Sequence, residues 1–153
     1  MSKTAMFLVA LLVLVPSLCW GASSYTAESL TVAHIQTAVE SCESAGDCTQ
    51  VNLPAGEITW NAGEVDLDIP TGRSITINGA GRTATIITLN YSTRAFNVNN
   101  VGPEQAAFFG LQNLELKGAD GVKGVGVEMR RVENFLITKV NFNNLYPGTN
   151  LQL

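Results

Sequence analysis

Apolar and polar residues follow different periodicities in two parts of this chain. Between Ser29 and Cys42 the apolar positions recur at helical spacing, which predicts an amphipathic helix. Thr31 is placed to cap its N-terminus, and Gly46 follows where it should end. The predicted apolar stripe consists of Val32, Ile35, Val39 and Cys42, with Ala38 beside it. His34 lies next to the stripe, where we expect a residue at the boundary with solvent.

From Thr49 onward, short runs alternate between apolar and polar residues and end at Gly, Asn or Pro. Examples are VDLDIP (65–70), SITIN (74–78) and TIITL (85–89). Such runs predict β-strands. The two-residue turns typical of hairpins are scarce, which argues against a β-meander or sandwich.

The strand-like runs also repeat. ITINGAG (75–81) aligns with FNVNNVG (96–102), and QNLEL (112–116) aligns with ENFLI (133–137), both 21 residues apart. A period of about 20–25 residues without helices is typical of a solenoid of stacked β coils. The alignment predicts that Ile75 stacks on Phe96 and that Asn residues form corners and hydrogen-bonded ladders.

The first 22 residues have the layout of a secretory signal peptide. Lys3 precedes an apolar run, Ala5 to Leu18, and small residues follow near Gly21 to Ser23. The run is shorter than the roughly 20 residues that span a bilayer, although a retained anchor is the alternative. We therefore expect a secreted, periplasmic or cell-surface protein with no membrane segment after cleavage.

Composition indicates which classes of partner the protein does not bind and what state its cysteines adopt. Nine Lys and Arg stand against 13 Asp and Glu, and no basic cluster occurs, which argues against nucleic acid and anionic membranes as partners. In an exported chain, Cys42 and Cys48 are expected to form a local disulfide, with two free thiols as the alternative.

Residues 79–84, GAGRTA, fit the loose glycine pattern of dinucleotide-binding loops. That pattern requires a helix directly after the glycines, to place its N-terminus against the pyrophosphate. The sequence that follows, TIITLN, is rich in β-branched residues and has no helical period. We therefore predict that Gly79 and Gly81 form a turn between two strands.

Three segments resemble the beginning of a pectate-lyase-like protein of the pectin lyase superfamily. They are IQTAVESCESAGDCTQVNLPAGEITW, LDIPTGRSITINGAGRTATIIT and RRVENFLITKVNFNN. The resemblance implies an all-β, right-handed, single-stranded parallel β-helix of about five coils, with an N-terminal amphipathic capping helix. The expected organisation is a signal peptide at 1–22, a capping helix and loop at 23–48, and coils at 49–153.

Candidate chemistry is sparse. In VDLDIP, alternation directs Asp66 and Asp68 outward, about 7 Å apart along one strand. Paired carboxylates serve glycoside hydrolysis or bind Ca²⁺, which the resemblance implies as a cofactor, but a solvated strand face is the alternative. No nucleotide or other organic cofactor is indicated.

Lyases of this superfamily use a basic residue, commonly Arg, to remove the proton beside a uronate carboxyl. Arg130 and Arg131 are the candidates, with surface ion pairs to Glu128 or Glu133 as the alternative. Trp60, Tyr91 and Tyr146 are candidates for stacking on sugar rings. The catalytic motifs of polygalacturonases and of the commonest pectate lyases are absent.

The resemblance implies a polysaccharide as the partner, with an acidic polymer among the candidates. The leading expectation is the N-terminal part of a polysaccharide-degrading enzyme, a uronate lyase or glycoside hydrolase. The alternative is a non-catalytic carbohydrate-binding, adhesin or tailspike-like surface protein. The sequence ends soon after a strand-like run, so we expect an uncapped C-terminal coil through which the chain could self-associate.

Overall fold

A computed structural model describes residues 23–103, 106–122, 124–145 and 151–152. The predicted signal peptide (1–22) and Tyr146 lie outside these ranges. The elements in chain order are β1 (Ser23–Thr26), α1 (Val32–Ser44), β2 (Cys48–Asn52), β3 (Gly56–Trp60), β4 (Val65–Pro70), β5 (Ser74–Asn78), β6 (Thr85–Leu89), β7 (Arg94–Val101), β8 (Phe108–Gly118), β9 (Val125–Arg130), β10 (Asn134–Asn143) and β11 (Leu151–Gln152).

Within the described residues the strands form two sheets, and every pairing is parallel. The larger has seven strands in the order β1-β2-β5-β8-β6-β3, with β10 also paired to β8. It curls into a half-barrel. The smaller has four strands in the order β11-β9-β7-β4.

The prediction of a right-handed parallel β-helix is therefore wrong. The described strands form two separate sheets instead of a solenoid of about five coils. β5 and β6 both pair with the one long strand β8, on either side of Asn113. Alternation identifies strands, but it does not specify how strands from distant parts of the chain divide between sheets.

The predicted stacking register is also wrong. Ile75 pairs with Phe109 and not with Phe96, which pairs with Val65. Val51 pairs with Ile77. The 21-residue repeat reflected recurring Asn and Gly residues, whereas the register is set by the buried apolar rows that these pairs form.

The helix prediction is confirmed. The Thr31 side chain accepts a hydrogen bond from the backbone N–H of His34, and Ile35, Ala38, Val39 and Cys42 are buried as predicted. His34 is partly exposed and lies 2.8 Å from the Ser29 hydroxyl, as expected of a boundary residue. α1 begins at Val32, directly after the predicted cap Thr31, and ends at Ser44.

α1 packs beside β4, at one edge of the smaller sheet. The Gln36 side chain accepts from Asp66 N–H and donates to its carbonyl, and Glu43 Oε1 accepts from Asp68 N–H at 2.7 Å. These bonds satisfy backbone groups that an open strand edge would leave unpaired. The helix thereby fixes the strand that carries both predicted aspartates.

The loop after α1 is held by two independent links. Cys42 and Cys48 form the predicted disulfide, with their Cα atoms 5.1 Å apart. The Arg73 guanidinium donates to four carbonyl oxygens around this loop, those of Cys42, Glu43, Ala45 and Cys48. Arg73 is consequently a structural residue.

The glycine-rich segment is a turn between β5 and β6, as predicted. Gly79 N–H donates to Gln112 O and Gly81 N–H donates to Asn113 O, which bonds the turn to β8. Beside it, Asn113 donates to Asn78 and Asn78 donates to Asn52, which confirms an Asn ladder.

Candidate binding face on the smaller sheet

The smaller sheet has one apolar and one polar side. Side chains alternate between the two sides along β4, β7 and β9, and these strands are paired in register. Val65, Leu67 and Ile69 are fully buried, so Asp66 and Asp68 project outward from β4. Register then aligns side chains across the strands in two rows, which are Asp66–Asn97–Glu128 and Asp68–Asn99–Arg130. We call these six residues, together with Glu64 and Arg94 at their margin, the polar face.

Within each row, the amide side chain on β7 contacts the aspartate on β4. Asn97 Nδ2 donates to Asp66 Oδ1 at 2.7 Å, and Asn99 Nδ2 lies 3.5 Å from Asp68 Oδ1. Neighbouring parallel strands lie about 4.8 Å apart, which sets this side-chain spacing. The amides therefore hold the two aspartates in place without neutralising their charge.

A chain of ion pairs crosses the margin of the polar face. Arg94 Nε donates to Glu64 Oε2 at 2.6 Å and Nη1 donates to Glu128 Oε2 at 2.5 Å. Arg130 Nη2 reaches the other oxygen of Glu128 at 2.6 Å. Hydrogen bonds to Glu64 and Glu128 raise the pKa of Arg94, and the bond from Arg94 is the main cause that lowers the pKa of Glu128. Arg94 and Glu128 are therefore both charged at neutral pH.

A cleft of about 590 Å³ opens beside these ion pairs. Its walls combine charged groups with two hydroxyl side chains, Ser92 and Thr93, and Val125. Tyr91 borders this region, and its hydroxyl donates to Gly63 O. The cleft extends the polar face to the start of β7.

The structure brings three of the four predicted site residues together. Asp66, Asp68 and Arg130 share the polar face, and Arg130 forms the ion pair with Glu128 that was its alternative role. Arg131 follows β9 with a φ of 58°, and its side chain is exposed. The positive φ turns the chain out of the strand, so Arg131 does not continue the alternation of β9.

The described aromatic candidates are used for packing. Trp60 is buried, donates from Nε1 to Leu30 O at 2.8 Å and packs edge-on against Phe96. Tyr91 is half-buried, and burial raises its pKa. Trp60 is therefore a core residue and not a surface for sugar stacking.

Glu43 is a further carboxyl group beside the polar face. Burial raises its pKa, opposed by the hydrogen bond from Asp68 N–H, while the neighbouring charge of Asp68 raises it further. Its role in the structure is to accept the backbone bond that holds β4 against α1.

The expected Ca²⁺ site has little support. In the part of the chain that the structure describes, no group of three or more His, Cys, Asp or Glu side chains is arranged to hold a metal ion. Asp66 and Asp68 supply two carboxylates, but a Ca²⁺ site needs six or more oxygens.

Sequence reasoning missed Glu64, Arg94 and Asn97, and it considered Glu128 only as an ion-pair partner. The alternation in RAFNVNN and VGVEMR places Asn97, Asn99 and Glu128 outward, which was a usable signal. Arg94 had none, because its position depends on two carboxylates about 30 residues away in either direction along the chain.

No protein-family model, curated protein or solved structure matches this chain. Within the described ranges, no helix has the length and apolar character needed to cross a membrane.

Proposed function

We propose that the protein binds a polysaccharide along the polar face. The observation that carries this proposal is the pair of in-register rows, which place carboxylates beside amides, and Arg130 at the end of one row, on the outward side of the smaller sheet. Carboxylates accept hydrogen bonds, and amides both donate and accept. Such an array suits a ligand with many hydroxyl groups that can do both.

Asn97 provides independent support within the face. Its side chain is 8% exposed, and its Oδ1 accepts no hydrogen bond from any described residue. A buried acceptor without a donor is costly, and such groups are commonly satisfied by a ligand or water. A ligand hydroxyl that reached Asn97, which lies between Asp66 and Glu128 in its row, would supply the donor.

Binding is favoured over catalysis by the state of the basic groups. Arg94 and Arg130 are both engaged in ion pairs, Arg94 with Glu64 and Glu128 and Arg130 with Glu128, so neither is arranged to remove a proton from a substrate. The polysaccharide-degrading activity implied by the resemblance stays a prediction, with Asp66 and Asp68 as its candidates on this face. Export from the cell, implied by the first 22 residues, is part of the same proposal.

The test compares two pairs of cross-strand neighbours. Asp68→Ala with Asn99→Ala truncates two of the three side chains in one row of the polar face. Thr59→Ala with Thr88→Ala truncates a matched cross-strand pair in the larger sheet. Affinity electrophoresis and calorimetry with a panel of soluble polysaccharides should show at least about tenfold weaker binding for the first variant only. Equal effects, or no binding by the parent protein, would refute the proposal.

The same incubations separate binding from turnover. New chain ends that absorb ultraviolet light would indicate a lyase, and new reducing ends without that absorbance would indicate a hydrolase. Binding with an unchanged polymer would identify the non-catalytic alternative.

A further inference from the structure

The charges of the polar face bear on which polysaccharides it can bind, given the function proposed above. Four carboxylates, those of Glu64, Asp66, Asp68 and Glu128, are accompanied by two guanidinium groups, those of Arg94 and Arg130. The face thus carries two negative charges in excess. Two further charged residues lie just outside it: Glu43, which bonds to the backbone of Asp68, and exposed Arg131, which follows Arg130.

Both guanidinium groups of the face are already bonded to its own carboxylates. Arg94 is bonded to both Glu64 and Glu128, and Arg130 shares Glu128. If Arg94 turned to a uronate, partly buried Glu64 would lose its cationic partner and Glu128 would lose one of its two, which is unfavourable. Rearrangement of this ion-pair chain would therefore oppose the binding of a polyanion.

The two aspartates have no cationic partner among the described residues. Asp66 and Asp68 are exposed and receive only the amide contacts of Asn97 and Asn99. Their charges point towards any polymer lying along the rows. A uronate carboxylate at a distance of a few ångströms would be repelled, most strongly at low ionic strength.

We infer that the polar face selects an uncharged polysaccharide and discriminates against polyuronates. Sugar hydroxyls can donate to Asp66 and Asp68 and exchange hydrogen bonds with Asn99, and this requires no change in the ion pairs. The inference rests on the proposed polysaccharide binding and proposes a neutral polymer in place of the acidic one that the resemblance suggested.

The experiment uses polymers that differ in charge but share a backbone. Polygalacturonate is compared with its methyl ester, and carboxymethyl cellulose with hydroxyethyl cellulose, at about 50 mM and about 500 mM salt. For a backbone that binds, the uncharged member should bind at least about tenfold more tightly at low salt, and the difference should shrink at high salt. Tighter binding of a polyuronate, weakened by salt, would overturn the inference while leaving polysaccharide binding intact.

A charge-removal variant tests the cause. Asp66→Asn with Asp68→Asn keeps acceptors for the neighbouring amides and should raise the affinity for the charged polymer about fivefold relative to the affinity for its neutral counterpart. The control, Glu57→Gln with Glu115→Gln, removes two charges from the larger sheet and should change neither. An equal gain in both variants would show that net charge, and not the polar face, determines the preference. If no polymer of either pair binds, and the wider panel also fails, the proposed function itself is refuted.

Discussion

At the scale of single residues, four charged side chains of the polar face form ion pairs with one another, those of Glu64, Arg94, Glu128 and Arg130. Strand alternation was sufficient to place Asp66 and Asp68 outward, because it depends only on the next residues in the chain. It could not reveal that Arg94 bridges Glu64 and Glu128, because that depends on contacts between strands, and it left the Arg130–Glu128 ion pair within β9 as one of two alternatives. Local sequence therefore predicted candidate residues but not their electrostatic state.

Glu43 provides a pH-dependent test at this scale. Its pKa is raised in the folded protein, so the folded state holds its proton more tightly than the unfolded state does. Its contribution to the free energy of unfolding therefore falls as pH rises from the unfolded pKa through the folded one. Glu43→Gln, which retains the acceptor for Asp68 N–H, should raise stability at about pH 7 by up to about 1 kcal/mol.

Urea unfolding at about pH 7 and about pH 3.5 measures this effect. The gain should vanish at the lower pH, where the parent carboxyl is also neutral. The exposed Glu133→Gln serves as control and should show no such pH dependence. A gain that is equal at both pH values would rule out the burial of a charged Glu43 as its cause.

At the scale of elements, the helix and many strands were predictable and the pairings were not. α1 followed from a cap and one apolar stripe, which are local signals. The register between strands follows from which apolar side chains fill the shared core, so Ile75 meets Phe109 although the repeat favoured Phe96. The glycine turn was predictable because the absent helix excluded a nucleotide loop.

Gly79 tests how tightly that turn is packed against β8. A Cβ atom at this position would lie 2.3 Å from the carbonyl oxygen of Asn113, whose backbone cannot move without disturbing the Asn ladder. Gly79→Ala should therefore lower the free energy of unfolding by about 1–3 kcal/mol.

Gly46 is a matched control, because a Cβ atom there would meet nothing within 4 Å. Gly46→Ala should change stability by less than about 0.5 kcal/mol in the same urea titrations. If the two variants were equally stable, the close approach of the turn to β8 would be disproved.

At the scale of the whole molecule, sequence reasoning was least successful. It anticipated a strand-rich chain with an N-terminal helix, but it combined the strands into a solenoid. The two sheets form because strands from distant segments of the chain pair with one another and bury their apolar side chains together. The local sequence carries no signal for which strands belong to which sheet. The polar face exists only when β4, β7 and β9 are paired, because each strand contributes only part of it.

The predicted self-association also belongs to this scale. Among the described strands, β10 pairs only with β8, and it carries exposed apolar side chains, including Phe135 at 39% and Leu136 at 53% exposure. An edge strand with apolar residues favours pairing with another copy, whereas a lysine on such an edge opposes it. Leu136→Lys should therefore weaken self-association at least about tenfold.

Sedimentation velocity over a range of protein concentrations measures the association. Val101→Lys is the matched control, because Val101 is similarly exposed, at 49%, but lies at the end of β7, which is paired on both sides. Loss of association in both variants would assign it to general apolar exposure or added positive charge. Loss in Leu136→Lys alone would assign self-association to the β10 edge. The polar face lies on the other sheet and would then remain open to the proposed ligand.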